Sequence, residues 1–421
     1  MFHLLLKKEG KKDIIIWSTQ AVSILISIST GKVIATNFKS SDFGQYSLIL
    51  SFYFLITGLF FNPIQQFFST EVNKNNHNDF LITYCIILSF LNSFFFLFAS
   101  AFCILFRYNY YLDIFLLLIS SLGQSAMSLM VNLSNIQRRY LLNSIALTVP
   151  LVLNLAIILF QNTATSNTYI ALLIAMSLSN LFSSIILYYL YFSKTEKNIN
   201  LLNYKKNIIL FFKHVRKLLN FAIPLALLSI SNWFSSYFDR FIIYKYMARS
   251  DVGIYAANYG LASKVIVLST PIMILLRADI YDPNISIQIK KKIIWKKIIT
   301  FALIGLVASI ILLLFKNQIG NLFLSQNYTD GFFILAPISI AYVLLGCIQF
   351  FDLFFYYTSK TTNIFYVYTF GMLLNVILSM SLIPSFGLWG ACEANILSYL
   401  FQFILASYLF SNTIIEESCI Q

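Results

Sequence analysis

Apolar stretches of about twenty residues recur from near the first residue of this chain to near the last, with short polar segments between them. A helix of that length is what crossing some 30 Å of hydrocarbon requires. Twelve such stretches can be placed, at approximately 14–36, 43–64, 80–106, 111–135, 141–160, 168–192, 218–244, 252–275, 298–315, 332–357, 362–383 and 387–410. Of the 421 residues, 59% are hydrophobic and only 11% charged, whereas a soluble domain carries about a quarter charged residues. The sequence therefore predicts an all-α polytopic membrane protein whose surplus apolar surface faces lipid.

The formal charge of +13 could suggest a phosphate-rich polymer as partner. The basic residues, however, sit in clusters between apolar runs, so no nucleic acid is expected. With the N-terminus in the cytoplasm, twenty-one basic residues fall in inner loops and five (Lys39, Arg107, Lys245, Arg249 and Lys316) in outer ones. This bias predicts that both termini are cytoplasmic. Lys7, Lys8, Lys11 and Lys12 precede an apolar run too long for a cleaved leader, so it reads as a retained first span. The five cysteines show no C-x-x-C spacing, and His3, His77 and His214 all lie outside the spans. No disulfide framework, metal site or cofactor is expected.

The polar, basic segment 193–217 divides the chain into an N-terminal lobe, residues 1–192 with spans 1–6, and a C-terminal lobe, residues 218–421 with spans 7–12. Its end, NIILFFKHVRKLL, mixes basic and apolar residues as an interfacial helix does. An internal repeat supports two lobes of six. Asp42-Phe43-Gly44-Gln45-Tyr46 opens span 2, and Asp251-Val252-Gly253-Ile254-Tyr255 opens span 8, 209 residues later. Lys32 precedes the first D-x-G-x-Y by ten residues and Arg240 the second by eleven. Parallel repeats of this kind bind substrate between them.

Ionisable groups inside spans are functional candidates by default. Lys264 lies about 18 Å into span 8, near the midplane, while Lys32 and Arg240 fall in the outer leaflet, where long basic side chains reach the interface. Asp239 adjoins Arg240, but consecutive helical residues point about 100° apart, so the two are not expected to pair with each other. Trp233, Tyr237 and Tyr244 fall on the arginine face of span 7, an aromatic and cationic stripe able to hold a sugar and a phosphate, or to serve as an interfacial belt. Asp352 and Glu393, nearer span ends, are candidates for a proton or sodium site. No carboxylate in spans 1–6 is clearly deep. Pro224, Pro271 and Pro337, with Gly260, offer places to bend spans 7, 8 and 10.

Residues 221–260, FAIPLALLSISNWFSSYFDRFIIYKYMARSDVGIYAANYG, resemble the seventh and eighth spans of bacterial polysaccharide and O-antigen flippases of the multidrug/oligosaccharidyl-lipid/polysaccharide exporter superfamily. The likeness rests on Pro224, the Asp239-Arg240 pair, and Gly253 with Tyr255. Residues 359–398 are similar to that family's closing unit, in Asn375, the Ile383-Pro384 turn and the Gly387-x-x-Gly390-Ala391 segment. SSDFGQYSLILSF at 40–52 resembles its first loop and second span.

The resemblance implies a MATE-like, V-shaped pair of six-helix bundles with a central cavity and alternating access, and no enzymatic activity. It implies an undecaprenyl diphosphate-linked oligosaccharide as substrate, whose diphosphate would meet Lys32, Arg240 and Lys264 while its tail stays among the membrane lipids. It also implies H+ or Na+ coupling and a polysaccharide polymerase as a partner in O-antigen, lipopolysaccharide or other surface-polysaccharide biosynthesis. The rival expectation is a multidrug or small-molecule cation antiporter of the same superfamily. A polymerase or ligase is disfavoured, because no outer loop exceeds about sixteen residues whereas those enzymes carry a large one.

Overall fold

The computed structural model describes residues 2–71, 111–136, 139–164, 168–192, 204–282 and 284–413. The described elements are helical throughout: α1 (Phe2–Asn37), α2 (Ser40–Ile56), a π turn (Thr57–Phe61), α3 (Asn62–Glu71), α4 (Tyr111–Ile136), α5 (Tyr140–Ala164), α6 (Tyr169–Phe192), α7 (Tyr204–Tyr246), α8 (Arg249–Ala262), a 3-10 turn (Ser263–Leu268), α9 (Ser269–Tyr281), α10 (Ile287–Leu314), α11 (Lys316–Phe323), a second 3-10 segment (Gln326–Ile334), α12 (Leu335–Tyr357) and α13 (Thr361–Ser411). Among the described residues, eight helical segments are long and apolar enough to cross a membrane. Predicted span 3, at 80–106, lies outside the described residues. The other predicted spans are helical over nearly all their length.

One feature of the helices differs from the simplest reading. The end of the basic segment 193–217 is not a separate interfacial helix: residues from Tyr204 run unbroken into span 7 as the 43-residue α7, about 64 Å long at about 1.5 Å per residue. Nothing between Tyr204 and Pro224 breaks a helix, because the stretch holds neither glycine nor proline. Spans 11 and 12 are, as expected, two helical arms of α13, separated by a kink at Gly387, whose φ of 58° only glycine adopts without strain. The two arms then close so tightly that a Cβ on Gly390 would strike the Leu382 carbonyl.

The chain forms two compact units: residues 1–38 with 49–229, and residues 39–48 with 230–421. In the N-terminal unit, Phe61, Phe67, Met127, Met130, Leu187 and Tyr191 are core residues of one apolar cluster. Helices α4 and α6 cross there at Gly123, where a Cβ would meet the Asn180 backbone oxygen at 2.7 Å. The C-terminal unit packs Phe351, Phe354 and Phe410 ring on ring, at centroid distances of 5.0 and 4.7 Å from Phe410. Leu303 and Leu314 of α10 remain 60% and 68% exposed, as lipid-facing positions should.

The short segment 39–48 leaves the unit on either side of it and packs with the C-terminal unit. The two copies of D-x-G-x-Y meet there. A Cβ on Gly44 would run into the Arg249 carbonyl, and one on Gly253 into the Ser40 carbonyl. Asp251 fixes the start of α8 by accepting a hydrogen bond from the Ala248 N–H at 2.9 Å, the helix-start role its position suggested. Phe43 stands edge-on to Tyr328 at 6.4 Å. The aspartate anchors a helix end, and the glycines let two backbones touch.

Candidate functional site

The C-terminal unit holds an ionisable interior built on α7, α8, α12 and α13. Asp239 is 1% exposed. Its carboxylate accepts hydrogen bonds from the Tyr255 hydroxyl, from the Asn395 amide at 3.3 Å and from the Arg240 backbone N–H at 2.8 Å. The Asn395 amide also donates to Tyr255 Oη at 3.2 Å and to the Ala391 carbonyl at 2.9 Å. Span 8 supplies the tyrosine through its D-x-G-x-Y, and span 12 supplies the asparagine. Neither residue was among the expected site residues, although Tyr255 is the last letter of the repeat motif.

Arg240 points elsewhere, as the helical geometry of adjacent residues requires. Its guanidinium carbon stands 4.7 Å from the Tyr237 ring centroid and 5.6 Å from that of Tyr259, a pair of cation–π contacts. It lies close enough to Asp239 to act on it electrostatically. From Tyr259 the tyrosines continue: Tyr342 Oη donates to Tyr259 Oη at 2.9 Å, and the Tyr342 and Tyr399 rings are 6.3 Å apart. The predicted aromatic stripe is thus divided among three neighbourhoods. Tyr237 joins Arg240, Trp233 packs on Phe234 and Phe241 of its own helix at 5.1 and 5.6 Å, and Tyr244 accepts from Arg249 Nη2 at 3.1 Å.

A second row of polar groups runs along the facing arms of α13. Asn375 Nδ2 donates to Ser398 Oγ at 3.0 Å, and Ser398 Oγ donates to the Asn395 carbonyl at 3.0 Å. The Asn375 and Asn395 amide oxygens and the hydroxyls of Ser235 and Ser379 are buried without a hydrogen-bond partner. Amide and hydroxyl oxygens suit a hard cation or a proton rather than a transition metal. Among the described residues, no cluster of three His, Cys, Asp or Glu side chains is present.

The other expected site residues stand apart from this cluster in character. Lys264 is half-buried on the 3-10 turn Ser263–Leu268, five residues past Tyr259. Lys32 is half-buried on α1 of the N-terminal unit. Asp352, 8% exposed, accepts from the Tyr368 hydroxyl at 2.7 Å. Glu393 is half-buried on α13. In the N-terminal unit, Asp113 at the mouth of span 4 is 5% exposed, with the Tyr169 hydroxyl 3.5 Å from its carboxylate.

The sequence profile of the family described as "Polysaccharide biosynthesis protein" matches residues 10–275. No curated protein sequence matches the chain. Among solved structures, the chain is similar to the lipid II flippase MurJ in an inward closed conformation, at 15% identity and a TM-score of 0.69, over 95% of this chain and 87% of that one. It is similar to a multidrug resistance MATE family transporter in an inward-facing conformation, at 13% identity and a TM-score of 0.65, over 92% and 94%. The Vibrio cholerae MATE transporter VcmN follows at 12% identity and a TM-score of 0.62, over 96% and 97%. Likeness at such identities is a likeness of fold, and it agrees with the all-helical architecture read from the sequence. The profile match covers well over half of the chain, which therefore belongs to the polysaccharide biosynthesis protein family.

Proposed function

We propose that this multi-pass membrane protein flips an undecaprenyl diphosphate-linked oligosaccharide, an O-antigen or other surface-polysaccharide repeat unit, from the cytoplasmic to the outer leaflet of the cytoplasmic membrane by alternating access. The feature that carries the reading is Lys264, a half-buried lysine on the 3-10 interruption of span 8, about 18 Å into that span by residue count. A diphosphate cannot enter hydrocarbon without compensation, and an ammonium supplies a charge-assisted contact without chemistry. Lys32 contributes a second cation from the N-terminal unit. Arg240 is held between tyrosine rings beside Asp239, where its charge would meet the cargo together with Tyr237. The protein performs no bond-breaking step in this reading. Its work is binding, release and change of access.

Coupling to H+ or Na+ falls to the buried carboxylates. Asp239, which gathers the Tyr255 hydroxyl and the Asn395 amide, is the better-built site, and Asp352 with its tyrosine partner is the second. Glu393, half-buried and near a span end, is the third. The same carboxylates favour the rival reading of a cation antiporter, because the fold alone does not choose between cargos.

Deletion of the gene is the test. Lipid-linked oligosaccharide should accumulate on the cytoplasmic face and surface polysaccharide should be lost, with the product restored by a plasmid copy. Unchanged surface polysaccharide together with raised sensitivity to cationic drugs would replace the flippase reading with the antiporter one. A polymerase acting on the flipped repeat unit is the expected functional partner.

A further inference from the structure

Predicted spans 2 and 8 open on the two copies of D-x-G-x-Y, and both leave the α-helical ladder part-way down. In the N-terminal unit the ladder loosens to the π turn Thr57–Phe61, closed by the Asn62 N–H on the Thr57 carbonyl. In the C-terminal unit it tightens to the 3-10 turn Ser263–Leu268. A proline follows each break: Pro63 lies 21 residues after Asp42, and Pro271 lies 20 after Asp251. Proline has no N–H, so a carbonyl one turn earlier loses its donor, and both irregular turns lie on that side of their proline.

The local chemistry matches as well. A hydroxyl on the first residue of each break bonds back three residues, Thr57 Oγ1 to the Phe54 carbonyl at 3.2 Å and Ser263 Oγ to the Gly260 carbonyl at 3.1 Å. Beyond the second break, Ser269 Oγ takes the Ile266 carbonyl at 2.7 Å. Serine and threonine commonly re-satisfy carbonyls freed by a break in a membrane helix. Each break also has a glycine. Gly58 lies inside the first, and Gly260 three residues before the second, with open space where its Cβ would stand. One feature is not repeated. Shifted by the 209-residue offset, the counterpart of Lys264 is Leu55, so only the C-terminal break carries a charge.

We propose that the π turn 57–61 and the 3-10 turn 263–268 are hinges related by the internal repeat, at which spans 2 and 8 bend during transport, and that Pro271 is thereby a positioning residue for Lys264. The second half rests on the reading that Lys264 meets the diphosphate. A 3-10 helix has 3.0 residues per turn against 3.6, so six residues turn the chain about 120° further than an α-helix would. Restoring the missing N–H favours a regular helix, which swings Lys264 around the axis relative to α9. Paired interruptions at corresponding positions of two repeats are also where transporters place substrate and hinge motion.

The test compares Pro271→Ala, Pro271→Gly and Pro63→Ala in the full-length protein. Hydrogen exchange on the purified chain, with no substrate present, should slow at least tenfold over 264–270 in Pro271→Ala and change little there in Pro63→Ala. In liposomes with undecaprenyl diphosphate-linked oligosaccharide, Pro271→Ala should flip about tenfold more slowly than wild type, and Pro271→Gly should keep more of the rate than Pro271→Ala. That order is the reverse of helix-forming tendency, so a purely structural role predicts the opposite. Binding of undecaprenyl diphosphate itself should weaken in Pro271→Ala and hold in Pro63→Ala, whose loss is confined to the maximal rate. Wild-type flipping by Pro271→Ala, or a higher rate for Pro271→Ala than for Pro271→Gly, overturns the hinge. Failure of the flippase reading looks different: wild type would not move the lipid, while the exchange contrast would persist.

Discussion

The two units bury polar groups in opposite ways. In the N-terminal unit they are mostly hydroxyls that bond back to their own helix, as Ser125 does to the Leu122 carbonyl and Ser134 to the Met130 carbonyl, or that reach one helix across, as Ser177 Oγ does to the Leu116 carbonyl at 2.7 Å. Small residues of this kind let membrane helices approach closely. Among the described residues of that unit, Asp113 is the one buried charged side chain. The C-terminal unit buries Asp239, Arg240, Lys290 and Asp352, each against tyrosine. Among the described residues, the N-terminal unit is thus a closely packed frame and the C-terminal unit has a charged interior. The charged one is the place to look for cargo and ion.

Substitutions can break that contrast. The largest effect should come from Asp239→Ala, which leaves the buried Tyr255 hydroxyl without its acceptor and the Arg240 charge without the carboxylate that acts on it, at a cost of about 3 kcal/mol. The thermal midpoint of the purified protein reads this, and Asp113→Ala should lower it far less. Equal losses would mean that the units do not differ in kind. Next comes Lys264→Gln, which should cut transport roughly thirtyfold, about 2 kcal/mol of lost charge-assisted binding, with protein level and thermal midpoint unchanged. A fully active variant removes Lys264 from the site.

Packing variants sharpen the other half of the comparison. Gly123→Ala places a Cβ against the Asn180 backbone and should cost about 1.5 kcal/mol by overpacking, lowering the midpoint without changing the apparent affinity for cargo. The smallest effect belongs to Ser177→Ala, about 0.6 kcal/mol for one interhelical hydrogen bond in a membrane protein. A loss of affinity in either variant would show the N-terminal unit to be more than a frame.

Much of the fold was legible, for a physical reason: hydrocarbon demands runs of apolar residues of one length, so the spans announce themselves. That Asp239 and Arg240 gather different tyrosines was legible in part, because consecutive helical residues point about 100° apart, although their charges still act on each other. Their actual partners were not. Tyr255 lies 16 residues from Asp239 and Asn395 lies 156 away, and a contact across that separation leaves no mark on a single sequence. Pro271 marked span 8 as able to bend, but a missing N–H does not say whether the turn before it tightens or loosens. Likewise D-x-G-x-Y declared a repeat without declaring that Gly44 and Gly253 pack backbone to backbone.

That last contact has a consequence for how the protein is made. Residues 39–48 emerge early, yet the surface they pack against begins with α8, about two hundred residues later. At synthesis rates of roughly 5–20 residues per second, the interval is on the order of 10–40 s. Throughout it, the start of α2 waits at the membrane with its glycine face uncovered. A chaperone or insertase able to shield that face would find its client in a nascent chain that has the first six spans but not yet the eighth.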